Sequence, residues 1–147
     1  MKIFSLVLAA TAFLTGCASQ EQVANKQMQF AQAQNDLHMA RVDSPVKCAD
    51  RKSCDKAFSL AKVFVQQHSD MKIQISDDAM VSTFNPTQYT MVGLSALKVP
   101  GSGDSSKIQL TVSCKGMESV GAFYTECAQR SANLYRNFKS YVESRLN

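Results

Sequence analysis

The stretch Lys107-Ile108-Gln109-Leu110-Thr111-Val112-Ser113-Cys114 carries the clearest alternation in this chain of 147 residues. Ile108, Leu110, Val112 and Cys114 share one face and Gln109, Thr111 and Ser113 the other, the period of a strand that buries one side. Upstream the same period recurs. Tyr89 to Val99 reads as a longer strand, with Gly93 as a bulge or a site of close approach, and Pro100-Gly101-Ser102-Gly103-Asp104 as the loop between the two. Ala79 to Phe84 is a third strand, stopped by Asn85-Pro86. Met71, Ile73 and Ile75 alternate with Lys72, Gln74 and Ser76 in a fourth, and Ser76-Asp77-Asp78 turns between them. Links this short favour antiparallel neighbours.

Helices flank the strands. Ala57, Leu60, Ala61, Phe64 and Val65 recur at helical spacing behind Ser53, a residue suited to an N-cap, and run as far as His68-Ser69-Asp70. Ala128, Ser131, Tyr135, Phe138, Val142 and Leu146 trace one face from about residue 122 to the C-terminus. The fold expected is α+β. It is a two-layer sandwich in which a four-stranded, mostly antiparallel meander carries an N-terminal and a long C-terminal helix on one face. Lys72, Gln74, Gln109, Thr111 and Ser113 would occupy the other face, as a solvated surface or the seat of a partner.

The N-terminus obeys different rules. Lys2 gives a positive start, Ile3 to Leu14 are apolar apart from Ser5 and Thr11, and the small residues Thr15 and Gly16 precede Cys17. The run falls short of the ~20 apolar residues that a membrane-spanning helix needs, so it reads as a removable signal. Leu14-Thr15-Gly16-Cys17 resembles the lipobox of bacterial lipoproteins. The resemblance covers the first 17 residues and implies cleavage before Cys17, with acyl chains on its thiol and amine. Two or three such chains anchor stably where one binds marginally. Ala18 stands where inner-membrane lipoproteins often carry Asp. By the same resemblance this implies the outer membrane of a Gram-negative bacterium and a periplasm-facing protein.

The chain then divides into a signal peptide (1–16), a lipidated, Gln-rich tether (17–47) and a folded domain (48–147). Cleavage leaves 131 residues, enough for one domain, and removes Lys2, lowering the formal charge from +4 to +3. Basic and acidic residues are interleaved, and no basic stripe with aromatic platforms marks a nucleic-acid binder. In the tether, Gln20, Gln22, Gln27, Gln29, Gln32 and Gln34 surround Val23, Phe30 and Leu37 at intervals of seven. That thin stripe suits a solvated spacer, or a short amphipathic segment that docks on a partner or its own copy. Asp43-Ser44-Pro45 ends it.

With Cys17 assigned to lipid, Cys48, Cys54, Cys114 and Cys127 remain. Four cysteines in an oxidising compartment allow three disulfide pairings, and spacing favours the two local ones, Cys48–Cys54 and Cys114–Cys127. Chain entropy makes each worth about 2–3 kcal/mol. Structural zinc uses tighter ligand pairs, and His38 and His68 are the sole histidines, so no metal or cofactor is expected beyond the covalent lipid.

Nor does a catalytic constellation stand out. His38 lies in the tether and His68 at a helix end, no GxSxG occurs, and Asp77-Asp78 reads as turn chemistry. Gly101-Ser102-Gly103 lacks the lysine and the strand-loop-helix setting of a phosphate loop. Phe58, Phe64, Tyr135, Phe138 and Tyr141 fall at core spacing. Phe123-Tyr124 is the apolar cluster considered for a contact surface, with core packing the first reading. The function expected is a non-enzymatic envelope lipoprotein that binds another envelope protein or the cell wall, as an assembly, scaffold or stress-related factor. The alternatives are an inhibitor or immunity-type protein against a periplasmic enzyme, and a carrier of a small apolar ligand.

Overall fold

The computed structural model describes residues 16–117 and 123–146, with side chains from Gln20 onward. The apolar run of the signal peptide and residue 122, where the last helix was expected to start, lie outside the described residues. The chain runs α1 (Gly16–Asp43), β1 (Val46–Cys48), α2 (Arg51–His68), β2 (Ile73–Ser76), β3 (Met80–Thr83), β4 (Val92–Pro100), β5 (Ser106–Cys114) and α3 (Tyr124–Leu146).

The fold is α+β, with one antiparallel sheet in the order β1-β5-β4-β3-β2. The four strands read from the alternation form the meander β2-β3-β4-β5. A fifth, β1, adds to the far edge of β5, pairing Val46 with Ile108 and Cys48 with Ser106. Three residues behind a proline are too few to show a period, and the boundary expected between residues 47 and 48 cuts through this strand. The long strand starts at Val92 rather than Tyr89, because Thr90 turns the backbone to φ 65°. Gly93 pairs regularly with Ser113, without a bulge, and is a site of close approach: a Cβ there would lie 2.8 Å from the Phe84 carbonyl oxygen.

Val92, Leu94, Ala96, Ile108 and Leu110 point from the sheet into a core shared with Phe58, Phe64 and Val65 of α2 and Phe138 and Val142 of α3. Burying each of these large side chains contributes about 1.5–3 kcal/mol. The two helices lie side by side over the strands, and the Phe64 and Phe138 rings meet edge-on at 5.3 Å. The N-cap of α2 is Asp50, not Ser53. Asp50 accepts from the Ser53 amide, and Ser53, at the third helical position, closes the capping box with its hydroxyl.

The largest departure from expectation is α1. Its C-terminal half is no free spacer, because it packs along α3 in the same direction. Phe30 meets Tyr124 with ring centroids 4.6 Å apart, Asp36 pairs with Arg136, and Asp43 with Lys139 at 2.9 Å. Ala33 and Ala40 are buried and Leu37 packs on the core. With Phe30 they form a stripe spaced three and four residues apart, in which the alanines let the two helices approach closely. An apolar count that looks for large side chains passes over them. Residues 20–29 are exposed throughout. From Gly16 to Gln29 the helix extends about 20 Å beyond its last contact with α3.

Candidate functional site: an exposed aromatic stack

Each cysteine expected in a disulfide is in one. Cys48 bonds Cys54, tying β1 to the first turn of α2, and Cys114 bonds Cys127, tying the end of β5 to the first turn of α3. The two bridges sit at opposite ends of the body, because β5 runs from one to the other. Cys17 is the second residue of α1, on the projecting arm. His38 is exposed on α1, and His68 ends α2 with its ring 4.2 Å from that of Phe64. Asp77 acts in the β2–β3 turn, accepting from the amides of Ala79 and Met80 at 2.8 and 2.7 Å. These bonds hold its carboxyl below the ordinary value. The structure therefore scatters these groups and builds no acid–base pair from them. Among the described residues no three His, Cys, Asp or Glu side chains gather to hold a metal.

What the fold does assemble is an aromatic surface. Tyr89 and Phe123 stack at 4.5 Å with their planes 16° apart, and they remain 58% and 41% exposed. Phe123 is thus displayed rather than packed in the core, and Tyr124 beside it turns to α1. Two backbone features set the stack. Thr90 adopts a left-handed conformation that β-branched residues avoid. Its amide donates to the Lys115 carbonyl at 2.9 Å, and its own carbonyl accepts from Arg130 at 2.7 Å. Gly116, at φ 112°, leaves the space the rings occupy.

An ion pair and a disulfide hold this end rigid. Arg130 reaches Asp70 at 2.9 Å, and the other Asp70 oxygen accepts from the Val92 amide at 2.7 Å, so one clasp joins the exit of α2, the start of β4 and the first turns of α3. Cys127 donates its amide to the Phe123 carbonyl at 3.0 Å, fixing that residue to the bridged turn. The chain thus holds Thr90 in a strained conformation and leaves two stacked rings exposed to water. Neither ring's role is visible in the sequence alone, since Tyr89 sits in a predicted strand and Phe123 beside an apolar neighbour. The Thr90 turn that separates them from the core leaves no compositional mark.

Compared with known proteins, this chain matches no family, no curated protein and no solved structure. Open clefts of 230–500 Å³ run along α1 and α3; one is lined by Gln29, Gln32, Asp36 and Gln129, and another, of about 240 Å³, mixes Leu37, Val112 and Met117 with Gln34, His38 and Arg41. No described helix is long and apolar enough to cross a membrane.

Proposed function

We propose that this chain is a lipid-anchored protein of the bacterial outer membrane that binds another envelope protein, with no catalysis of its own. The lipobox-like Leu14-Thr15-Gly16-Cys17 supports the anchor, and α1 supports a specific way of using it. The helix runs unbroken from Gly16 into its packing on α3, so an anchor at Cys17 would be coupled to the domain through a rigid arm instead of a loose tether. The arm leaves from the end of the body that carries Phe30, Tyr124 and Phe123, which would then face the membrane at a stand-off of about 20 Å.

The observation that carries the binding reading is the immobilised Tyr89–Phe123 stack. Rigid aromatic side chains give large contact area at small entropic cost and dominate the energetics of protein interfaces. Asp70 and Arg130 beside the stack are already paired to each other and to backbone, so they supply a satisfied polar rim rather than chemistry. The cysteines in disulfides, and the histidines on a solvated helix face and against Phe64, fit the same reading.

A photoreactive residue in place of Tyr89, introduced in living cells, tests it. A discrete adduct with an envelope protein, absent when the residue replaces the remote Lys72, is the outcome this reading requires. Equal labelling from both positions, or none from position 89 in a protein that is anchored and folded, would contradict it.

A further inference from the structure

The sheet carries an unbalanced pair of cations at the end opposite the aromatic stack. Lys47 of β1 and Lys107 of β5 stand directly opposite each other in the antiparallel register. Their chain neighbours Val46, Cys48 and Ile108 point into the core, so both lysines belong to the face turned away from the helices. Opposed residues bring their Cβ atoms to about 5 Å, and like charges placed so destabilise the pair. Among the described residues, neither lysine has an ion-pair or hydrogen-bond partner.

Because β1 is the edge strand, both lysines also reach an open cleft of about 500 Å³ around that edge, which holds Asp43 of α1 and Lys139 and Glu143 of α3. Those acids are engaged elsewhere: Asp43 accepts from Lys139 at 2.9 Å, and Glu143 faces the same ammonium. The three ammoniums and two carboxylates of the cleft sum to +1, and Lys47 and Lys107 are the cations without a bonded partner. From this corner the outward positions of β5 continue as Gln109, Thr111 and Ser113, with Ser95 of β4 opposite Thr111. The track runs about 20 Å and carries amides and hydroxyls but no carboxylate. A sheet face presents side chains and no free backbone edge, so a second polypeptide strand finds no ladder to join there. A chain dense in hydroxyls would find donors and acceptors all along it.

We infer that Lys47 and Lys107 form an anion site for an acidic glycan, whose carboxylate or phosphate group bridges the two ammoniums while its hydroxyls bond the outward side chains of β5. The inference depends neither on the lipid anchor nor on the aromatic stack.

The full chain in detergent tests it, titrated with polygalacturonate, phosphorylated dextran, neutral dextran and polyglutamate. Binding to one or both acidic glycans, weakening as salt rises, is expected. Lys47→Glu and Lys107→Glu should each weaken it by about tenfold or more, with Lys72→Glu on β2 near wild type and thermal melts confirming that all three variants fold. Preference for the carboxylated or the phosphorylated glycan identifies the anionic group. Equal affinity for polyglutamate would assign the site to an acidic polypeptide and overturn the glycan. Equal loss in Lys72→Glu, equal binding of neutral dextran, or no binding of either acidic glycan would overturn the site.

Discussion

A Cβ on Gly116 would lie 2.8 Å from the Cβ of Phe123 and 3.3 Å from the Tyr89 ring, so the exposed stack exists because position 116 has no side chain. Gly116→Ala introduces that contact and places alanine at φ 112°. The expected cost is about 1–3 kcal/mol in urea unfolding, with loss of the ring-current shifts between Tyr89 and Phe123. Gly103→Asn is the control: φ there is 63°, nothing lies within 4 Å, and asparagine tolerates the conformation. A Gly116→Ala protein with wild-type stability and an intact stack would show that the contact is not limiting.

The two disulfides close loops of different length, with sequence separations of 6 and 13 residues. Chain entropy assigns about 2 kcal/mol to Cys48–Cys54 and about 3 kcal/mol to Cys114–Cys127. Double-serine variants of each pair should therefore lose stability in that order. Loss of the second bridge should also release Phe123, seen as raised hydrogen exchange at the start of α3. Four thiols should alkylate only after reduction, and alkylation of the native, mature protein would contradict the pairing.

Helix α1 should exchange its amides in two regimes. Residues 30–43, held by Phe30, Ala33, Leu37 and Ala40, are expected to be strongly protected, and residues 16–29, which continue the helix without tertiary contact, to exchange faster yet more slowly than a free peptide, because the packed half supplies the helix nucleus. Ala40→Leu overfills the α1–α3 contact, at a cost of about 1–3 kcal/mol, and should strip protection from 30–43 while α2 keeps its own. Uniform protection along α1 would contradict this division.

Much of this was legible, and the misses have physical causes. The alternation at 107–114 and the helical spacing of Phe64 and Phe138 reported burial directly, because large side chains must be removed from water. The α1 interface rests on Ala33 and Ala40, whose importance is closeness rather than area, so a Gln-rich segment read as spacer. β1 owes its pairing to β5 and to the Cys48–Cys54 bridge, which are long-range facts. The aromatic stack depends on the backbone of Thr90 and Gly116, and an isolated glycine and threonine announce no conformation.

Acid should unfold the protein partly through its caps. Backbone and hydroxyl hydrogen bonds from Ser53 hold the Asp50 carboxyl below its ordinary value, and amides of Ala79 and Met80 do the same for Asp77. A depressed folded pKa means that the stabilisation is fully present above the unfolded value, near pH 4, and is lost as pH falls through the folded one. The melting temperature should accordingly hold from neutrality to about pH 4 and drop below it. Asp50→Asn with Asp77→Asn keeps the one oxygen on each that accepts from backbone amides and should flatten that acid limb, at neutral pH costing little beyond the Ser53 hydroxyl bond to Asp50. An unaltered limb would place the acid sensitivity elsewhere.

The most direct measurement is the mass of the N-terminal tryptic peptide of the protein extracted from membranes. A peptide that begins at Cys17 and ends at Lys26, heavier by two or three acyl chains and lost in Cys17→Ala as the protein leaves the membrane fraction, is the result expected if α1 is the arm of a lipid anchor. Recovery of residues 1–16 on the mature chain, or of an unmodified Cys17 that alkylates freely, would contradict it.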